Sequence, residues 1–155
     1  MIKLIVALDK NNLIGNGNKM PWNIKEEFIH FKKTTLNNAL LFGKNTFLGL
    51  PKKLENRIVY VLSGETLSGC DRTIHNEKEL LELFNFYKTS KEILFIAGGK
   101  FIYEKYYHYA DELIISKIKN EYKGDIYLNL DLSKYELFAT TNKKDFIVEY
   151  YKKVI

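Results

Sequence analysis

Residues 13–35 read LIGNGNKMPWNIKEEFIHFKKTT, a glycine-bearing polar loop that passes through Met20-Pro21-Trp22 into a helical pattern. Asn23 and Glu26 have capping-box spacing. Ile24, Phe28, Phe31 and Thr35 then follow at steps of 4, 3 and 4 residues, so a helix of about three turns starts here. At about 100° per residue, Glu27 shares the face of Ile24, Phe28 and Phe31, whereas Glu26 falls beside His30 and Lys33 on the polar side. One acid therefore points into apolar company. The polar stretch ahead of it, residues 9–19, is a loop, and loops that long in a compact domain are usually functional.

Outward from this stretch the chain alternates strands and helices. Residues 2–8 form an apolar run that is too short to span a membrane and includes Lys3, so it reads as a buried strand. Residues 39–42 form a short strand followed by a helical segment from Lys44, and residues 58–62 form a buried strand. Asn76 with Glu79 opens a second capped helix to about Tyr87. Residues 93–97 form another buried strand, then Gly98-Gly99 leads into a helix through Tyr107. Residues 113–118, 135–141 and 146–152 are strand-like with no helix between them, so they pair antiparallel. The result is a single α/β domain over residues 1–155 whose sheet is mostly parallel with an antiparallel C-terminal edge. Ligands bind such sheets outside the carboxyl ends of the strands.

At 155 residues, with 46% hydrophobic and 28% charged residues, the chain is neither disordered nor membrane-embedded. The formal net charge is +5, which invites an anionic partner without naming one. Arg57 and Arg72 are the two arginines among 24 basic residues, and the lysines are dispersed without an aromatic-interleaved pattern for RNA. Cys70 stands alone, which excludes an internal disulfide and points to a reducing, cytoplasmic compartment. His30, His75 and His108 match no metal-ligand spacing, so no metal is expected.

Two nucleotide motifs fail on inspection. Gly15-Asn16-Gly17-Asn18-Lys19-Met20 has Met where a dinucleotide fingerprint needs its third glycine. Around Gly43-Lys44 a P-loop would need a glycine five residues before Gly43 and a hydroxyl residue after the lysine, but Asn38 and Asn45 stand there. Two strand ends do deliver glycine into a helix N-terminus, at Gly43 and at Gly98-Gly99; these are tight turns or phosphate cradles. Glu27 is either a rim residue or a buried acid whose raised pKa suits proton donation or anchoring of a cationic heterocycle. Arg57, just before a strand, is either a surface arginine or a two-pronged carboxylate grip that lysine cannot reproduce. Trp22 is a core anchor or a pocket wall with a donor N–H.

Taken together, Leu13-Ile14-Gly15, Met20-Pro21-Trp22, Glu27, Phe31 and Thr35, at fixed spacings, resemble the signature of the dihydrofolate reductases. The likeness continues through Gly43-Lys44-Asn45-Thr46, Leu54 with Arg57, Leu62-Ser63, Gly98-Gly99 to Ile102-Tyr103, and Gly124-Asp125. It implies a mixed eight-stranded sheet with about four helices, and NADPH-dependent reduction of 7,8-dihydrofolate to tetrahydrofolate, supporting one-carbon metabolism. By the same resemblance Glu27, near Trp22, promotes protonation at N5, and Met20 sits in a loop that excludes water. Ile5, Ala7, Phe28, Phe31, Leu50, Leu54 and Ala97 wall the pterin and benzoyl groups, with Arg57 on the glutamate α-carboxylate.

For the cofactor the resemblance implies Ala7, Ile14, Gly15, Thr46 and Tyr103 around nicotinamide and ribose. Gly43, Lys44, Gly98, Gly99, Lys100, Phe101 and Ile102 surround the phosphates, Asn18, Asn45, Leu62, Ser63 and Gly64 also belong to the cofactor site, and the Gly98-Gly99 peptide is expected to be cis. It further implies antifolate inhibitors as ligands, a monomer, and no nucleic-acid or membrane partner. Several positions depart from the family pattern: Glu27 stands where most bacterial members have Asp, Lys44 replaces a common Arg, Gly64 a frequent serine, and Lys25 and Glu55 frequent prolines. A pyrimidine reductase of riboflavin synthesis shares the fold, but Pro21-Trp22, Glu27 and Arg57 argue against it. The other class is a basic polyanion-binding protein without turnover, which predicts salt-sensitive nucleic-acid affinity.

Overall fold

The computed structural model describes residues 1–17 and 19–155. Strands β1 (Ile2–Leu8), β3 (Ala39–Gly43), β4 (Ile58–Leu62), β5 (Arg72–Ile74), β6 (Leu94–Ile96), β7 (Glu112–Ile118), β9 (Tyr135–Asn142) and β10 (Phe146–Lys153) form one eight-stranded sheet, ordered β5-β4-β3-β6-β1-β7-β10-β9. The ladders are parallel from β5 to β7 and antiparallel around β10. The fold class expected from the sequence is thus present, with one refinement: the final strand inserts between β7 and β9 rather than only extending a hairpin. Strands β2 (Leu13–Gly15) and β8 (Ile126–Tyr127) make a separate small ladder.

Alternation along the strands splits the core in two. Ile2, Leu4, Val6 and Leu8 of β1 face a cluster that includes Leu80, Leu83, Phe84 and Tyr87 of helix α3 (Glu77–Thr89) and Ile102, Tyr103 and Tyr106 of α4 (Lys100–Tyr106). Ile5 faces the opposite cluster with Leu40, Phe42, Phe95, Ala97, Trp22 and Ile24, where helix α1 (Lys25–Thr35) begins. A short helix, α2 (Lys44–Leu48), follows β3 directly.

Several expectations need correction. α1 begins one residue later than the capping box requires: Ile24 is its N-cap and no side chain caps it. Burial of Trp22 and Ile24, rather than a polar cap, sets where the chain turns into the helix. The cap at Asn76 does form, its side chain accepting from Glu79 N at 2.9 Å. Phe28 does not join the apolar face; it is 37% exposed, because the four-residue step from Ile24 carries it about 40° round the helix, past the sheet contact. His30 is not purely on a polar side either: its ring lies 6.2 Å from Phe146, and Glu26 pairs with Lys143 at 3.8 Å. The turn before β10 covers that flank of α1. Ile58 is exposed, so β4 is buried only at alternate positions. Residues 9–19 are not all loop, since β2 lies within them and Asp9 is fully buried.

Candidate active site

Glu27 is 6% exposed on the inward face of α1. Burial pushes its carboxyl up to about 7 from an ordinary value of 4.5. Its charge is felt by Tyr103, whose hydroxyl donates to Ile5 O at 2.7 Å and whose pKa is raised chiefly by its own burial and then by Glu27. Glu27, Ile5 and Tyr103 are thereby brought together around β1. Ser116, the register partner of Ala7 on β7, adds a buried hydroxyl on the sheet face of Ala7 and was not anticipated from the sequence. Trp22 is buried, its ring edge-on to Tyr122 at 5.6 Å, and its Nε1–H has no partner among the described residues. A buried donor is costly unless paired, so this N–H can take a hydrogen bond from water or a polar ligand.

The loop ahead of the helix is wired from below by Asp9. Its Oδ1 accepts from Asn11 N and Leu13 N at 2.8 and 3.0 Å, and its Oδ2 accepts from Tyr122 N at 3.0 Å. Further along, Asp125 N donates to Gly15 O at 3.1 Å and Gly17 N donates to Asp125 Oδ1 at 2.8 Å. Gly124 must be glycine there, as a Cβ would stand 2.4 Å from Gly15 O. Met20 is 47% exposed. Ile14 is half-buried and Gly15 buried, whereas Asn18 lies outside the described residues.

At the carboxyl ends of β3 and β6 the two glycine turns touch. Gly43 N donates to Gly98 O at 2.8 Å, and Ala97 N to Leu41 O at 2.9 Å. The Gly98-Gly99 peptide is cis, as expected. A Cβ on Gly99 would lie 2.7 Å from Thr46 Oγ1, and one on Gly43 would lie 3.3 Å from Ile102 Cγ1. The backbone here is bare where a phosphate-bearing ligand would approach it. Gly43, Thr46, Gly98, Gly99, Ile102 and Tyr103 are brought together in this way. Asn45, Lys100 and Phe101 lie beside them, with Phe101 63% exposed.

One strand over, Gly43 pairs with Leu62, which places Leu62, Ser63 and Gly64 beside Lys44. Ser63 Oγ accepts from Glu65 N at 3.2 Å, and a Cβ on Gly64 would meet nothing within 4 Å. Lys44 is in an ion pair with Glu65, a residue that sequence reasoning missed.

Leu50, Leu54 and Phe47 line a cavity of about 240 Å³ with Lys52 and Lys53 at its edge. Arg57 is held at the C-terminal end of α1: its Nε donates to Thr35 Oγ1 at 2.9 Å, its Nη2 to Lys32 O at 2.5 Å, and its Nη1 to Glu55 O at 2.6 Å. Three of five N–H donors are engaged, and two remain for a ligand. Phe31 is half-buried and Ala97 is buried, both on the Glu27 side of the sheet.

Comparison with known proteins gives a consistent result. The family model for dihydrofolate reductase matches residues 1–153. The chain is 42% identical over 159 residues to dihydrofolate reductase of Mycoplasma genitalium, covering 99% of this chain and 98% of that one. It is 38% identical to the enzyme of Mycoplasma pneumoniae over 160 residues, at 99% coverage of both. Among solved structures, dihydrofolate reductase from Enterococcus faecalis complexed with NADP(H) and RAB-propyl superposes with a TM-score of 0.87 at 26% identity, covering 99% of this chain and 96% of that one.

Proposed function

This chain belongs to the dihydrofolate reductase family and reduces dihydrofolate with NADPH, and we propose that it does so at the cleft between α1 and the carboxyl ends of β1, β3 and β6. The observation that carries the placement is Glu27, a buried carboxyl whose pKa is raised to about 7, on the face of α1 that looks onto Ile5 and Ala7. At neutral pH a carboxyl with that value exists in both forms. It can accept the pterin amino and ring N–H groups, and it can pass a proton toward N5. The Trp22 Nε1–H, which has no protein partner among the described residues, would hold the water through which such a proton moves. By the same chemistry Glu27 anchors antifolate heterocycles that carry a positive charge.

The residues present fit NADPH: Gly43 N–H is spent on Gly98 O, the N–H groups of Gly98 and Gly99 make no backbone hydrogen bond among the described residues, and a Cβ at position 99 would fill the space beside them. When bound, NADPH supplies the hydride for C6. Gly43, Gly98 and Gly99 would receive the diphosphate, Thr46 and Tyr103 the ribose and nicotinamide, and Lys44 with Ser63 the 2′-phosphate end. The segment that carries Gly15 and Gly17, bonded to Asp125, would with Met20 close over the site and exclude water. Arg57 would offer its two remaining donors to the glutamate α-carboxylate, with Phe28, Phe31, Leu50 and Leu54 flanking the benzoyl group. We further propose that residues 1–155 act as one catalytic domain, monomeric, in the cytoplasm and without a nucleic-acid partner. The free thiol of Cys70 suits a reducing compartment. Among the described residues no helix is long and apolar enough to cross a membrane.

The test is the loss of NADPH absorbance with dihydrofolate, compared between the unsubstituted protein and Glu27→Gln. Turnover that needs both reagents and collapses in the variant is expected. Undiminished turnover in Glu27→Gln would overturn the placement of the site.

A further inference from the structure

The carboxyl ends of β3 and β4 emerge side by side, because Gly43 and Leu62 are register partners in a parallel ladder. Lys44 opens α2 on one side, and residues 63–65 leave β4 on the other. The Lys44 ammonium is paired with the Glu65 carboxylate, and this is the partner it has among the described residues. Glu65 N donates to Ser63 Oγ, so that hydroxyl is engaged by the same short turn. Gly64 between them contributes no side chain, and the space around it is open. The cation in line for a 2′-phosphate therefore already has an anion beside it.

We infer that Glu65 sets the cofactor preference of this enzyme: its carboxylate competes with the 2′-phosphate of NADPH for Lys44 and narrows the discrimination against NADH. This rests on the cofactor placement proposed above. A phosphate monoester carries nearly two negative charges at neutral pH and is repelled by a carboxylate a few ångströms away, whereas a ribose 2′-hydroxyl can donate a hydrogen bond to it. The Lys44 ammonium holds the Glu65 carboxyl below its usual range, so the competitor stays ionised throughout the working pH range. Both side chains are exposed to solvent over much of their surface, 41% for Lys44 and 64% for Glu65, so the pair yields to a better ligand and the effect is a bias rather than a block.

The experiment is calorimetric titration of NADP⁺ and NAD⁺ into the whole protein at low ionic strength, for the unsubstituted chain, Glu65→Gln, and Glu136→Gln on the far-edge strand β9 as a control for net charge. Glu65→Gln is expected to tighten NADP⁺ by roughly three- to tenfold and to leave NAD⁺ unchanged or weaker, while the control does neither. In a Lys44→Met background the gain from Glu65→Gln should fall by about half or more, since the contested cation is gone. Equal changes for both cofactors, no change for NADP⁺, or an undiminished gain without Lys44 would overturn the competition. Failure of the unsubstituted protein to bind NADP⁺ would instead overturn the cofactor placement beneath it.

Discussion

Thr35 Oγ1 accepts from Arg57 Nε at 2.9 Å while donating to Phe31 O at 2.8 Å, so one buried hydroxyl ties the guanidinium to the last turn of α1. The same helix that carries Glu27 thereby fixes Arg57, and the two ends of the proposed cleft are built on one element. Arg57 is consequently a structural clamp as well as the proposed grip on the substrate carboxylate.

Arg57→Lys keeps the charge but loses both the fork and the bonds to Thr35, Lys32 and Glu55. A charge-assisted hydrogen bond contributes about 1.5–3 kcal/mol, so KM for dihydrofolate should rise by roughly one to two decades. A pterin without the glutamate tail should be nearly indifferent. The comparison is two enzymes on two substrates, with Tm recorded for each enzyme. Equal weakening on both substrates would assign Arg57 to the scaffold alone.

Glu27 couples activity and stability to pH with the same sign. Its folded value of about 7 lies above the 4.5 of the exposed group, so the folded protein holds a proton that the unfolded chain releases. Stability from this group is fully present below 4.5 and is lost as pH rises through about 7. At about 1.4 kcal/mol per pH unit, the loss over the whole shift approaches about 3.5 kcal/mol. Glu27→Gln cannot ionise and should gain stability relative to the unsubstituted protein by up to that amount between about pH 4.5 and 8, read by urea denaturation. The kcat/KM for dihydrofolate should fall above about pH 7 in the unsubstituted enzyme and be low throughout in Glu27→Gln. A pH-independent stability difference would show that Glu27 titrates normally.

Much of this was legible in the sequence because apolar periodicity and fixed motif spacing report directly on burial. The parallel strands 2–8, 39–42 and 58–62, the Asn76 cap and the inward face of Glu27 all come from such patterns. What escaped has a common cause: interactions between residues far apart in the chain. β5 and β8 are 3 and 2 residues long and exist only because a neighbour pairs with them. Asp9 looks like a loop aspartate until Tyr122 N bonds to it, and Glu65 looks like surface charge until Lys44 closes on it. At α1 a local polar signal misled, since burial of Trp22 and Ile24 outweighed the Asn23 cap.

Gly99→Ala should damage the cofactor end specifically. The new Cβ would stand 2.7 Å from Thr46 Oγ1, a contact that β-branched Thr46 cannot relieve by a small rotation. Overpacking of this kind costs about 1–3 kcal/mol, and the KM for NADPH should rise while dihydrofolate binding changes little. Thr46→Ala removes the offending oxygen and should restore part of the stability when combined with Gly99→Ala. Strict additivity of the two substitutions in Tm would rule the clash out.

The last prediction concerns Asp125, whose carboxylate and backbone N–H grip the glycine loop at Gly17 and Gly15. The contact to Gly17 is solvent-exposed, so its loss should alter global stability by less than about 1 kcal/mol. The loop it holds leads into Met20 and Trp22, where the proposed closure would exclude water from the reacting atoms, and the effect should therefore fall on kcat. Asp125→Ala is expected to lower the rate of hydride transfer by about tenfold, with KM for dihydrofolate changed little. Asp125→Asn keeps an acceptor oxygen for Gly17 N–H and should recover much of that rate. Single-turnover kinetics with deuterated NADPH make the assignment sharp, because a weakened clamp exposes the isotope effect on the chemical step. An unchanged rate in Asp125→Ala, or a loss confined to KM, would mean that the contact between Asp125 and the loop plays no part in closure.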